Sequence, residues 1–193
     1  KEKLFLFFVA VGEIHTTLFN MITGRLPQFH RRTRPLDILV AIVPFLLFLP
    51  LKLLGNLLVF KKIKGKLGGK FTAGISGGGA LPPYVDSFFQ AVGIPLLEGY
   101  GLTETAPILA VRKQHHPVTG TVGPLLADIE HKVIDTEGRE VSPGHKGVLR
   151  VRSEQIMEGY YKRPETTSEV LKDGWLNTGD IAIFTHTGEF KII

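Results

Sequence analysis

The sequence predicts an α/β fold, a βαβ sheet layer flanked by helices, that passes into a mostly β subdomain. Three observations carry this. Residues 71–97 read as strand, glycine loop, helix and strand. Residues 129–184 hold short apolar patches separated by turn-forming residues. Residues 1–70 are apolar and basic, with helical spacing in places. The chain thus divides into an apolar and basic helical segment (1–70), an α/β core (71–120) and a mostly β part (121–193).

Composition bounds the partners. Of 193 residues, 44% are hydrophobic and 21% charged, which is globular rather than disordered. There is no cysteine, so disulfides and thiolate metal sites are excluded. The net charge of +5 favours an anionic partner: a phosphate-bearing ligand, a membrane surface or nucleic acid. Nucleic acid is not expected, because the aromatic residues sit in apolar runs instead of alternating with the basic ones. The first residue is Lys1 and the last, Ile193, lies in an apolar strand-like run. The expectation is a piece of a longer protein.

Taken in order, 1–11 is a dense apolar run with Phe5, Phe7 and Phe8, followed by Gly12, and predicts a buried strand. Residues 13–23 carry Ile14, Leu18, Met21 and Ile22 at helical spacing, with Gly24 as a stop. Arg25, His30, Arg31, Arg32 and Arg34 form a basic run. Residues 36–60 are about long enough and apolar enough to span a bilayer. Asp37, Lys52, Asn56, Pro44 and Pro50 argue instead for two or three short helices, buried or lying in an interface. Lys61, Lys62, Lys64, Lys66 and Lys70 follow. Apolar anchors beside basic clusters suit an anionic membrane surface; solvated helix faces would look the same.

Residues 71–75 read as a strand, Pro82-Pro83 opens a helix with Val85, Phe88, Phe89 and Val92 on its apolar face, and 94–97 is the next strand. The intervening loop, Ser76 to Leu81, has three glycines but no lysine of the P-loop type, so close approach to a flat ligand is the better reading. Strands are expected at 129–134, 148–151 and 182–184, and a helix at 164–171. His115-His116 lacks further ligands at zinc spacing and reads as loop.

The stretch Gly99-Tyr100-Gly101-Leu102-Thr103-Glu104-Thr105 carries the chemistry. Two glycines permit a tight turn and close ligand approach. Between and after them come an aromatic face, a hydroxyl and a carboxylate, a set that suits a base, a phosphate oxygen and Mg2+. A glycine-punctuated turn facing water would use the same letters. Asp180 follows Gly179 and could accept two hydrogen bonds from vicinal hydroxyls, as acidic residues do with ribose, or could serve as a turn residue.

Four blocks then occur in order. Ser76-Gly77-Gly78-Gly79-Ala80-Leu81-Pro82 resembles the SGGAxLP loop of adenylate-forming enzymes, and 99–105 resembles their GYGxTET motif. Gly147-Val148-Leu149 with Glu158-Gly159-Tyr160-Tyr161-Lys162-Arg163-Pro164-Glu165-Thr166-Thr167 resembles their GEL…GYYxxPExT block. Gly174-Trp175-Leu176-Asn177-Thr178-Gly179-Asp180 resembles GWxxTGD. The chain is therefore similar to AMP-binding acyl-activating enzymes. Within them it looks like the long-chain fatty acid–CoA ligases, on GYGLTET, the 64–71 lead-in and the apolar insert.

The resemblance implies part of the large N-terminal domain of such an enzyme. It implies a two-step acid–thiol ligase reaction, using ATP, a long-chain fatty acid and coenzyme A, with acyl-AMP between the steps and AMP as a product. By resemblance Tyr100 stacks on adenine, Thr103 contacts the α-phosphate, Glu104 holds Mg2+ and Asp180 binds the ribose hydroxyls. Thr103 and Glu104 are thus the expected catalytic pair. Gly78, Gly79, Gly99 and Gly101 belong to the nucleotide-binding set, with Gly78, Gly79 and Gly101 bounding the adenine and acyl pockets. Gly79 stands where the family has alanine, and Val148 where it has an acidic residue. The phosphate-binding loop with its lysine, the hinge and the C-terminal domain with its catalytic lysine are not among these residues, so the 193-residue piece alone is expected to lack ligase activity. A cytoplasmic location is implied, with peripheral membrane contact as a second expectation. Two rivals remain: an adenylating enzyme for amino or aryl acids, and a non-catalytic, membrane-associated nucleotide-binding module.

Overall fold

The computed structural model describes residues 2–31 and 33–193. Lys1, and Arg32 of the basic run, lie outside the described residues. The described chain forms two compact units. The first comprises residues 1–26, 32–97 and 114–119, and the second 27–31, 98–113 and 120–193.

The first unit is mainly helical. Its opening run is α1, Glu2–Thr23, not the strand expected over 1–11. A strand and a buried helix share the same apolar composition, and Gly12 does not end the run. Instead Gly12 lies under its neighbours: a Cβ there would sit 3.0 Å from the Phe60 ring and 3.1 Å from the Ala91 Cβ. α1 packs on α2 and α4 and buries Phe8 and Val11. It stops where expected, at Gly24 with φ +72°.

α2 spans Arg34–Gly55, continues through a π-turn at Asn56–Phe60 and enters α3, Lys61–Lys66. The expected break into separate short helices does not occur. Pro44 and Pro50 sit inside α2. Each removes one backbone donor, a cost of about 3 kcal/mol in a helix interior, and the leucine-rich residues around them favour helix strongly enough to keep the run continuous. Both α1 and the α2–α3 run are long and apolar enough to cross a membrane by length and composition alone, a test that core helices also pass. Lys52 reaches from α2 to donate to the carbonyl of Ala91. Its ammonium also lies 4.4 Å over the Phe60 ring. Burial and the charge of Lys64 lower its pKa to about 8.

β1, Gly74–Ser76, is followed by the glycine loop, by α4 (Pro83–Val92) and by the start of β2 (Leu96–Gly101). β1 and β2 are sheet neighbours, so the strand–loop–helix–strand unit of the sequence is present. Phe60, Val92 and Ile94 form this unit's small core. Asn20, buried in α1, donates to Gln90 Oε1 and Thr119 Oγ1, each at 3.2 Å.

The second unit is mostly β, as expected. β2 pairs antiparallel with β3, Ile108–Val111. A five-stranded sheet runs β4-β5-β7-β6, with β8 on β7. These are β4 Glu130–Ile134, β5 Lys146–Arg152, β6 Leu171–Lys172, β7 Trp175–Phe184 and β8 Phe190–Ile192. The helix expected at 164–171 is α5, Pro164–Val170. Leu109, Val133, Leu149, Val151, Leu176 and Phe190 head the core. Arg112, 1% exposed, forms a 2.9 Å ion pair with Glu98 and donates twice to the carbonyl of Thr121.

Candidate nucleotide site

The motif residues 99–105 lie partly in a strand and not wholly in a turn. Gly99, Tyr100 and Gly101 are the end of β2, paired with Val111, Ala110 and Ile108, and a bulge falls between Tyr100 and Gly101. Gly101 is there for space: a Cβ would lie 1.7 Å from the carbonyl oxygen of Pro107. The turn comes next, a short 3-10 helix over Thr103–Thr105. Thr105 is fully buried and ties this turn together. Its hydroxyl accepts from Leu102 N–H at 3.0 Å and lies 3.0 Å from the carbonyl of Leu102 and 2.9 Å from that of Pro107. Thr103 is left exposed and Glu104 half-buried.

Asp180 sits in β7, where the pairing with β5 shifts register between Val148 and Arg150. Gly179, at φ +75°, belongs to this irregularity, and bulges of this kind re-aim a side chain. Thr178 Oγ1 donates to Leu149 O at 2.8 Å and accepts from the Asp180 N–H at 3.2 Å. Asp180 then meets Tyr100 across 80 residues of sequence: the Tyr100 hydroxyl donates to Asp180 Oδ2 at 2.6 Å. Burial first, then the bond to Asp180, push the Tyr100 hydroxyl's pKa well above its ordinary value.

Glu104 has an equivalent partner in Tyr160, to which the sequence assigns no role. The Tyr160 hydroxyl donates to Glu104 Oε1 at 2.8 Å, and that bond raises the Tyr160 pKa. The segment around Tyr160 is bound to the turn at other points as well. Met157 N–H donates to Glu104 O at 2.9 Å. Gln155 Nε2 donates to Thr105 O at 2.7 Å and Ile108 O at 2.9 Å.

The structure therefore brings Tyr100, Gly99, Gly101, Thr103, Glu104 and Asp180 into one unit. Gly78 and Gly79 belong to the other. Both are exposed, with open space where a Cβ would be, and Gly78 has φ +79°. Glu104 suits Mg2+ on its chemistry. That ion usually takes one or two carboxylates and completes its octahedron with substrate phosphates and water. Among the described residues no group of three or more His, Asp or Glu could hold a metal by itself. A cavity of about 240 Å³ in the same unit is lined by His131, Val133, Glu140 and Phe184, among others, and holds none of the motif residues.

This architecture is that of part of the large N-terminal domain of an adenylate-forming enzyme. The chain belongs to the AMP-binding enzyme family, whose model matches residues 9–161. It is 47% identical over 185 residues to a chloroplastic long-chain-fatty-acid–[acyl-carrier-protein] ligase of Arabidopsis thaliana, covering 90% of this chain and 25% of that protein. It is 41% identical over 125 residues to a long-chain-fatty-acid–CoA ligase of Escherichia coli O157:H7, covering 62% of this chain and 22% of that one. Among solved structures, apo MatB from Rhodopseudomonas palustris matches with a TM-score of 0.57 at 30% identity, over 62% of this chain and 25% of that one. An anthranilate CoA ligase in complex with anthranoyl-AMP matches with a TM-score of 0.58 at 26% identity, over 63% and 24%. The chain thus spans a quarter or less of the length of these relatives.

Proposed function

We propose that the full-length protein carrying this chain activates a long-chain fatty acid with ATP and passes it to a thiol. A carboxylate oxygen of the acid attacks the α-phosphorus and pyrophosphate leaves. A thiol sulfur then attacks the acyl carbonyl, AMP leaves, and the thiol proton is lost. The observation that carries this reading is the joining of Tyr100 to Asp180 beside the Thr103–Glu104 turn, in a chain of the AMP-binding family. Such chemistry asks for positioning and charge neutralisation more than covalent help. Tyr100 presents a ring face for adenine, Asp180 accepts from the ribose hydroxyls, and Thr103 donates to the α-phosphate. Glu104 holds Mg2+, which when bound neutralises phosphate charge. Gly101 bounds the pocket for the nucleotide and the acyl chain.

Coenzyme A is the first reading for the thiol. A specific observation supports a second: the relative matched over 90% of this chain, helical segment included, is named for an acyl-carrier-protein acceptor. The exposed apolar residues of α2, with Lys61, Lys62, Lys66 and Lys70 exposed at its end, support peripheral contact of a cytoplasmic enzyme with an anionic membrane.

The test is pyrophosphate exchange by the full-length protein with acids from acetate to palmitate, followed by thioester formation with coenzyme A or with acyl carrier protein. Exchange confined to long chains is expected. Exchange with aryl or amino acids alone would overturn the substrate, no exchange with any acid would favour a non-catalytic module, and unchanged exchange in Glu104→Ala would remove Glu104 from the site.

A further inference from the structure

Tyr160 belongs to no role assigned so far, yet its hydroxyl ends on the carboxylate read above as the Mg2+ ligand. The bond joins residues 56 apart in sequence, at 2.8 Å. Its donor end is anchored independently. The Tyr160 N–H donates to Thr167 Oγ1 at 2.9 Å, and that hydroxyl donates to Arg163 O at 2.8 Å, which fixes Tyr160 to the first turn of α5. Its acceptor end is anchored too, since Met157 N–H donates to the main chain of Glu104 itself. Gln155 closes the same gap from its side, donating to Thr105 O and Ile108 O. Both ends of the Tyr160–Glu104 contact are therefore held by other bonds, and the contact is not a chance meeting of two surface side chains.

The chemistry of the pair suits a particular task. A phenol donates one hydrogen bond to one carboxylate oxygen and adds no charge. Oε1 is occupied, which leaves Oε2 for a cation and fixes which way the carboxylate faces. A lysine or arginine in the same place would orient the carboxylate but compete with the cation; among the described residues, no ion pair is formed by Glu104. Mg2+ tolerates little departure from octahedral geometry. A ligand carboxylate that must find its rotamer at each binding event would give up affinity. Hydrogen-bond partners of ligating carboxylates are worth roughly 10–100-fold in metal affinity or activity.

We propose that Tyr160 is a positioning residue that holds the Glu104 carboxylate in the orientation that takes the nucleotide's Mg2+. This rests on the reading of Glu104 as the metal ligand given above. It adds that the metal site is built from two separate motifs, the 103–105 turn and the 155–160 segment, and that the second acts through the first.

The experiment measures ATP binding to the full-length protein by calorimetry, with and without Mg2+, for wild type, Tyr160→Phe, Glu104→Gln and the double variant. Tyr160→Phe removes one hydroxyl from a half-buried ring, and a thermal melt run alongside confirms the fold. In wild type, Mg2+ is expected to tighten ATP. Tyr160→Phe should lose about 10-fold of that tightening and keep the metal-free affinity. In the Glu104→Gln background, Tyr160→Phe should cost nothing further. Three results overturn the proposal: an equal loss with and without Mg2+, which marks a general structural role; an undiminished loss in the Glu104→Gln background; or no loss at all. If Glu104→Gln itself leaves the Mg2+ effect intact, the metal-ligand reading of Glu104 falls and this proposal falls with it. A defect in Glu104→Gln but not in Tyr160→Phe removes only the positioning role.

Discussion

Leu149 and Leu47 are the same side chain in opposite circumstances. Leu149, in β5, is 0% exposed, and Leu47, in α2, is 70% exposed. The contrast holds for the elements that carry them. β5 alternates, so one face of its residues enters a core shared with β4 and β7. α2 is apolar all round, and of its 22 residues only Ala41 and Gly55 are buried. A strand presents two faces, and one neighbouring layer satisfies the apolar one. A helix presents its side chains through a full circle, and a single packed neighbour covers one stripe. The β unit thus closes its core from its own residues, while the helical unit leaves most of its apolar surface uncovered in this stretch of chain.

The largest effect is expected where the β unit hides a charge. Arg112→Met removes the ion pair to Glu98, 13% exposed, and the two bonds to the Thr121 carbonyl. Breaking a buried pair from one side costs about 3–5 kcal/mol, read as a fall in the urea midpoint of the full-length protein. A loss under about 1 kcal/mol would show that water reaches the pair. Next comes the leucine comparison itself. Leu149→Ala should cost about 2–5 kcal/mol, and Leu47→Ala should stay within about 0.5 kcal/mol. Equal costs would break the comparison, because they would mean that α2 is covered in the full-length protein by something beyond these residues.

The difference between the two regions also explains what could be read from the letters. In the β part, turn residues and short alternating patches locate strands with little ambiguity, and β4, β5 and α5 fall close to their expected places. In the helical part, the run at 4–11 is compatible with either a strand or a buried helix, and only packing against Phe60 and Ala91 decides for α1. Pro44 and Pro50 read as stops, whereas leucine-rich surroundings carry the helix past them. At the site, Tyr100, Glu104 and Asp180 stand out as candidates from their residue types and the motifs that hold them. The contact of Tyr160 with Glu104 does not, because a hydrogen bond to a residue 56 positions away leaves no local pattern.

The smallest effect concerns pH and again belongs to the β unit. Burial lowers the pKa of His131, against a smaller upward pull from Glu140. Its ring lies 4.3 Å from Phe184 and 5.5 Å from Phe190. A histidine whose folded pKa is depressed binds its proton more readily in the unfolded chain. Its contribution is therefore full above about pH 6.5 and is lost as pH falls below that value. Thermal melts of wild type and His131→Phe should converge above neutrality and separate modestly in mild acid, with the variant less sensitive. Parallel curves would show that His131 titrates alike in both states.

The 1.7 Å between an imagined Cβ at Gly101 and the Pro107 carbonyl sets a limit on inheritance as well as on geometry. No larger residue can be tried there without moving a strand, so a lineage carrying this site has no intermediate step by which to explore that position. Diversity in what the site accepts has to enter through neighbours not held between two backbones, such as exposed Thr103. The glycine works as a ratchet: once the two backbones have closed to this distance, reopening them would require several changes at once.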